Sequence, residues 1–105
     1  MKTGDKVLLE MKKNLCVGKT AAQMVYVGKI VTYDEQKERL YIELTNTSLE
    51  HISLDGLYEC QIYTEKETYS CTGVIEERYY GKQGKTIKFK IKNGFYKINV
   101  KSVDK

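Results

Sequence analysis

Apolar and polar residues alternate with period two along most of this chain. In "KTIKFKIK" (85–92), Ile87, Phe89 and Ile91 alternate with Lys88, Lys90 and Lys92, and in "FYKINVK" (95–101), Tyr96, Ile98 and Val100 alternate with Lys97, Asn99 and Lys101. Strict alternation predicts strands with one buried and one wet face. The intervening "KNG" predicts a hairpin turn, because Asn93 and Gly94 tolerate the positive φ that tight loops need.

Further strands are predicted over 5–11, 22–33, 39–44, 57–64 and 68–80. Gly28 and Gly73 are expected at bulges or bends. Polar turns fall at "DEQKE", "EKE" and "GKQG". Only 13–21 and 46–55 have room for a short helical turn. The pattern predicts an all-β fold: a small antiparallel split β-barrel of about six or seven strands with little helix. Its expected core includes Val31, Leu40, Ile42, Ile62, Val74, Ile87, Phe89, Ile91, Ile98 and Val100.

The 105 residues make one domain, 1–105, with an ordinary balance of 41% apolar and 30% charged residues. No apolar run approaches the ~20 residues of a membrane span, and no signal-peptide core follows Met1. A cytoplasmic protein without membrane insertion is expected. Nine Tyr against two Phe and no Trp suit strand faces whose rings pack while their hydroxyls reach water.

Cys16, Cys60 and Cys71 form no CxxC pair, and the single His51 cannot complete a two-Cys, two-His zinc set. They are read as small buried residues with reduced thiols. If Thr64 pairs with Glu67, Cys60 falls opposite Cys71 on one face of a hairpin. A cross-strand disulfide would need an oxidising compartment.

No catalytic constellation, metal set or cofactor motif emerges. P-loop, dinucleotide fingerprint and HExxH are all missing. The pairs Asp34–Glu35 and Glu76–Glu77 are read as solvated charges at or beside turns.

Charge is unevenly distributed. Residues 1–77 carry nine basic and thirteen acidic side chains, whereas residues 78–105 carry nine basic and one acidic. The expected basic face comprises Lys88, Lys90, Lys92, Lys97 and Lys101, presented on two paired strands. It can protect a sheet against edge-to-edge association, or dock an acidic or phosphate-rich partner. Nucleic acid is the obvious polyanion. Against it, the cations are Lys rather than Arg, and only Tyr79, Tyr80 and Tyr96 lie near enough to stack bases.

With the strands placed, the chain resembles the N-terminal domain of flagellar brake proteins, the PilZN type of split barrel. "GDKVLLEM" resembles its opening strand and "YVGKIVTYDEQKERLYIEL" its second and third strands. "SLDGLYECQIYTEKETYSCTGVIEERYYGKQG" resembles the later pair, and "TIKFKIKNGFYKINVK" the closing strands. The resemblance covers most of the chain through patterns of hydrophobicity and turns.

It implies a non-catalytic regulatory or protein-interaction module. Such domains precede a PilZ domain that holds cyclic di-GMP with an Arg-x-x-x-Arg motif and an Asp/Asn-x-Ser-x-x-Gly turn. Here Arg39 and Arg78 are followed four residues later by Glu43 and Lys82, so neither opens that motif. "HISLDG" matches the turn at Ser53 and Gly56, with His51 where Asp or Asn is expected. It reads either as a degenerate nucleotide turn or as a loop in which Ile52 and Leu54 pack and Gly56 turns. The expected partner is a protein, either a PilZ domain or an acidic surface, rather than cyclic di-GMP bound by this chain alone. The sequence ends about where the family's junction would begin, so the module either stands alone or belongs to a longer PilZ protein. A small basic nucleic-acid-binding barrel is the alternative.

Overall fold

The computed structural model describes residues 1–14, 25–46, 52–54, 56–82 and 84–98. They form six strands: β1 (Lys6–Asn14), β2 (Val25–Asp34), β3 (Arg39–Leu44), β4 (Gly56–Tyr63), β5 (Thr68–Gly81) and β6 (Gly84–Ile98). All pairs are antiparallel, and the sheet closes as a barrel in the order β1-β2-β3-β6-β5-β4. No helix occurs among the described residues. Residues 15–21 and 47–51, within the two stretches with room for helix, lie outside them.

Alternating residues explain closure. Val7, Leu9, Leu40, Ile42, Tyr58, Cys60, Ile62, Ile87 and Phe89 point into one interior and are buried. Six strands can bury that face together by closing, which also removes exposed edges. Ile52 is buried in the same core, and the hydroxyl of Tyr58 donates to the carbonyl of Ser53 at 2.8 Å. The segment before β4 is thereby fastened to the barrel.

Three sequence expectations are corrected. First, "KNG" makes no hairpin. β6 continues through Asn93 and Gly94 to Ile98 and pairs with β5 along its length, from Gly81↔Gly84 to Thr68↔Ile98. β3 occupies the other side of β6 at Thr86–Lys90, where a folded-back strand would have to lie. The β5–β6 hairpin closes between Gly81 and Gly84, at the expected "GKQG" turn, and Gly84 adopts φ 119°, a left-handed conformation that costs glycine nothing.

Second, Val31 and Val74 are only half-buried. A bulge in β2 between Ile30 and Thr32 sends Ile30 inward in place of Val31. The expected irregularity at Gly28 thus falls three residues later. In β5, register shifts flank Thr72, placing Val74 opposite Lys90 and the buried Ile75 opposite Phe89. Gly73 does lie at a register shift. Third, Leu54 is 40% exposed rather than packed. The remaining core expectations, the Ile98 side chain and Val100, lie outside the described residues.

Cys60 pairs with Cys71 directly across β4 and β5, and the Thr64 amide donates to the Glu67 carbonyl at 2.9 Å, as that register requires. Both cysteines are free and fully buried. A hydrogen bond with Cys71, reinforced by burial, pushes the Cys60 thiol well above its ordinary pKa. Both thiols are shielded from solvent, and thiolate, the nucleophilic form, is disfavoured at Cys60, so the pair should be chemically quiet. Ellman's reagent at pH 8 is expected to label at most one of the three thiols in the native protein and all three in denaturant. Native labelling of two or more thiols would mean that the β4–β5 pair is open to solvent.

Candidate interaction surface

The outer face of the barrel carries most of the charged residues and the exposed tyrosines, whereas Tyr26, Tyr58 and Phe89 are buried in the core. Lys88 and Lys90 lie on β6 between β3 and β5, and Lys92 and Lys97 lie farther along the same strand. Lys101 is outside the described residues. The four described lysines therefore follow one strand rather than the paired strands expected from the alternation.

Carboxylates from β5 and the β4–β5 turn interleave with these cations. Lys88 Nζ lies 3.9 Å from Glu77, Arg39 Nε 2.7 Å from Glu76, and Lys97 Nζ 3.1 Å from Glu67. Glu67 also accepts the Tyr69 hydroxyl at 2.6 Å. That bond, followed by the one from Lys97, holds the Glu67 carboxyl below its usual pKa, and the Glu67 bond raises the Tyr69 phenol. Glu76 and Glu77 lie within β5, as the expected strand over 68–80 has it, and join a charge lattice with Arg39 and Lys88. The "GKQG" turn already set β5 beside β6; the sequence did not disclose that β3 lies on the other side of β6, which brings Arg39 within reach of Glu76. Asp34 does serve a turn: its carboxylate accepts the Lys37 amide at 3.2 Å.

On the opposite side of the barrel Glu10 pairs with Glu59 across β1 and β4. Lys12 sits 3.3 Å from Glu10 and 3.4 Å from Glu59, and the Ser70 hydroxyl donates to Glu59 at 3.0 Å. One ammonium thus offsets one of the two negative charges, and the Ser70 hydroxyl supports Glu59. Among the described residues, no group of three or more His, Cys, Asp or Glu side chains is arranged to hold a metal.

The candidate nucleotide turn is only partly described. His51 lies outside the described residues. Ser53 contributes its carbonyl to Tyr58. Gly56 opens β4 opposite Asn14, and a Cβ there would lie 2.7 Å from the terminal methyl of Met11. That methyl is the end of a flexible side chain and can shift, and the φ of Gly56 is not positive, so neither crowding nor a left-handed turn demands glycine here. Arg78, which does not open the two-arginine motif, donates to the carbonyl of Ile52.

A groove not anticipated from the sequence crosses this outer face. Thr86 on β6 is short and buried, and it lies opposite Tyr79 on β5. Tyr41 on β3 stands beside Thr86, because its register partner is Lys88, two positions along β6. Two tall tyrosines around a short threonine leave a depression, completed by Val31 and Thr32 from β2 and by Gly81 and Lys82 at the β5–β6 turn. It encloses about 240 Å³. The β2 bulge creates one wall by turning Val31 away from the core. At the adjoining hairpin tip, Tyr79 is 38% and Tyr80 75% exposed, with Lys85 opposite Tyr80.

No protein family, curated protein or solved structure matches the chain.

Proposed function

We propose that this barrel is a non-catalytic regulatory or protein-interaction module, of the kind that its resemblance to the PilZN domains of cyclic-di-GMP effectors implies, and that it works in the cytoplasm. The observation that carries the reading is the outer face of β3, β6 and β5. There an aromatic-walled groove lies among Lys82, Lys85 and Lys88, while the interior is filled by side chains. Such a face offers binding area and positive charge without a catalytic constellation. An acidic protein surface, or a PilZ domain, is the partner proposed.

The test is comparative capture from a cell lysate with wild type and Lys88→Gln/Lys90→Gln/Lys97→Gln at two salt concentrations. The triple variant is expected to lose partner association, chiefly at low salt, because exposed charges act through steering and screened attraction. Its folding stability should remain within about 1 kcal/mol of wild type, since exposed ion pairs contribute little. The same partners captured equally at both salts would remove the role of these lysines. Calorimetry with cyclic di-GMP should give no heat of binding for this chain alone; tight binding would instead place a nucleotide site here.

Exposed Tyr79 and Tyr80 beside Lys82 and Lys85 also suit base stacking, which favours the nucleic-acid alternative. Glu43, Glu76 and Glu77 on the same face oppose it, because a continuous phosphate chain would pass over them. A gel shift with single-stranded RNA that weakens steeply with salt would support that alternative.

A further inference from the structure

We infer that the groove between Tyr41 and Tyr79 is a docking site for a short, extended acidic peptide segment, which seats one apolar side chain over Thr86 and sets carboxylates against Lys82 and Lys88. The inference rests on the interaction-module reading and supplies its contact point.

Volume argues for the anchor. At about 240 Å³ the depression lies below the roughly 300–1,000 Å³ of small-molecule pockets. It suits one apolar side chain better than a whole nucleotide. Its walls are aromatic and aliphatic, from Tyr41, Tyr79 and Val31, and its floor is the covered Thr86. Aromatic walls of this kind contribute most of the energy in protein interfaces when an anchor excludes water from them.

Charge complementarity selects the flanks. Lys82 lies in the groove wall, Lys88 is the register partner of Tyr41, and Lys85 stands opposite Tyr80 at the tip. Lys88 approaches Glu77 only to 3.9 Å, and Glu77 is itself largely exposed, so an arriving carboxylate can share that ammonium. Glu43, opposite Thr86, and Glu77 bound the positive zone. They permit discrete carboxylates beside Lys82 and Lys88 but repel a polyanion laid across the whole face. A peptide with an isolated apolar residue among Asp or Glu matches this alternation; a nucleic-acid strand does not.

The experiment is selection of a random heptapeptide display library on the full chain, followed by fluorescence anisotropy of the most enriched peptide. Enrichment of one aromatic or large aliphatic residue flanked by Asp or Glu is expected. Tyr79→Ala and Lys82→Glu should each weaken that peptide at least tenfold, while Tyr79→Phe retains binding and Lys92→Glu, outside the groove, changes it less than twofold. Thermal melts of the variants, all at exposed positions, establish that they fold. No enrichment, a neutral or basic consensus, equal affinity for Tyr79→Ala, or competition by a uridine oligonucleotide each overturns the proposal. So does a concentration-dependent dimer abolished by Tyr79→Ala, which would make a second copy the occupant. If lysate partners are lost by the triple lysine variant but retained by Tyr79→Ala and Lys82→Glu, the groove assignment fails while the module reading stands.

Discussion

Replacing Phe89 with alanine is expected to destabilise the barrel by about 3–5 kcal/mol, through lost transfer free energy and the cavity left behind. Phe89 is fully buried and stands between Leu40 on β3 and Ile75 on β5 in the cross-strand register. The size of the loss depends on whether neighbours can collapse into the void. Here they cannot move far, because β6 is hydrogen-bonded on both sides at this point and the sheet is closed. Folded chains of this size are stable by roughly 5–15 kcal/mol, so this one change removes a large share. Urea melts measure it directly. A loss below about 1 kcal/mol would mean that the inward face of β6 is misassigned.

Phe89 was legible because its environment follows from local alternation. The same holds for β3, whose expected span 39–44 is the observed one, and for the Cys60–Cys71 register, fixed by the nearby Thr64–Glu67 turn. Local signals failed where a distant strand decides the outcome. Asn93–Gly94 is a strong hairpin signal in isolation. A turn there would fold the chain back onto the side of β6 that β3 already holds, and β5 is long enough to pair with the whole of β6. Val31 and Val74 have good strand propensity, but bulges are set by how neighbouring strands must bend to close the barrel.

The interaction surface was legible only in part. The positive charge of the C-terminal quarter is a matter of counting. The carboxylates that interleave with it come from β5, which the "GKQG" turn already set beside β6, and from the β4–β5 turn, whose approach to Lys97 depends on β6 running on to Ile98 instead of turning at Asn93. The groove depends on a short Thr86 on one strand, tall tyrosines on its two neighbours, and a bulge in a fourth strand. No single segment carries that combination, so no motif could have announced it.

Gly73→Ala is expected to destabilise the protein by about 3 kcal/mol, the upper end of what overpacking usually costs, although it adds a single methyl group. A Cβ at Gly73 would overlap the carbonyl oxygen of Lys90 and lie 2.9 Å from its carbonyl carbon and 3.0 Å from the Phe89 ring. The obstacle is chiefly backbone. β6 could yield only by loosening its bonds to β3, where Arg39 pairs with Lys90. Gly94→Ala is the matched control on the same pair of strands. Nothing lies within 4 Å of its added Cβ and its φ is not positive, so a gain of about 0.4–1 kcal/mol is expected from restricting the unfolded chain. The contrast separates local crowding from a general dislike of alanine in β5 or β6. Combining Gly73→Ala with Phe89→Leu tests which neighbour resists. If the Lys90 carbonyl is the obstacle, the two losses should add to within about 0.5 kcal/mol. Strong coupling, with the smaller side chain at 89 relieving most of the Gly73→Ala loss, would identify the Phe89 ring as the obstacle and show that the β5–β6 backbones can separate.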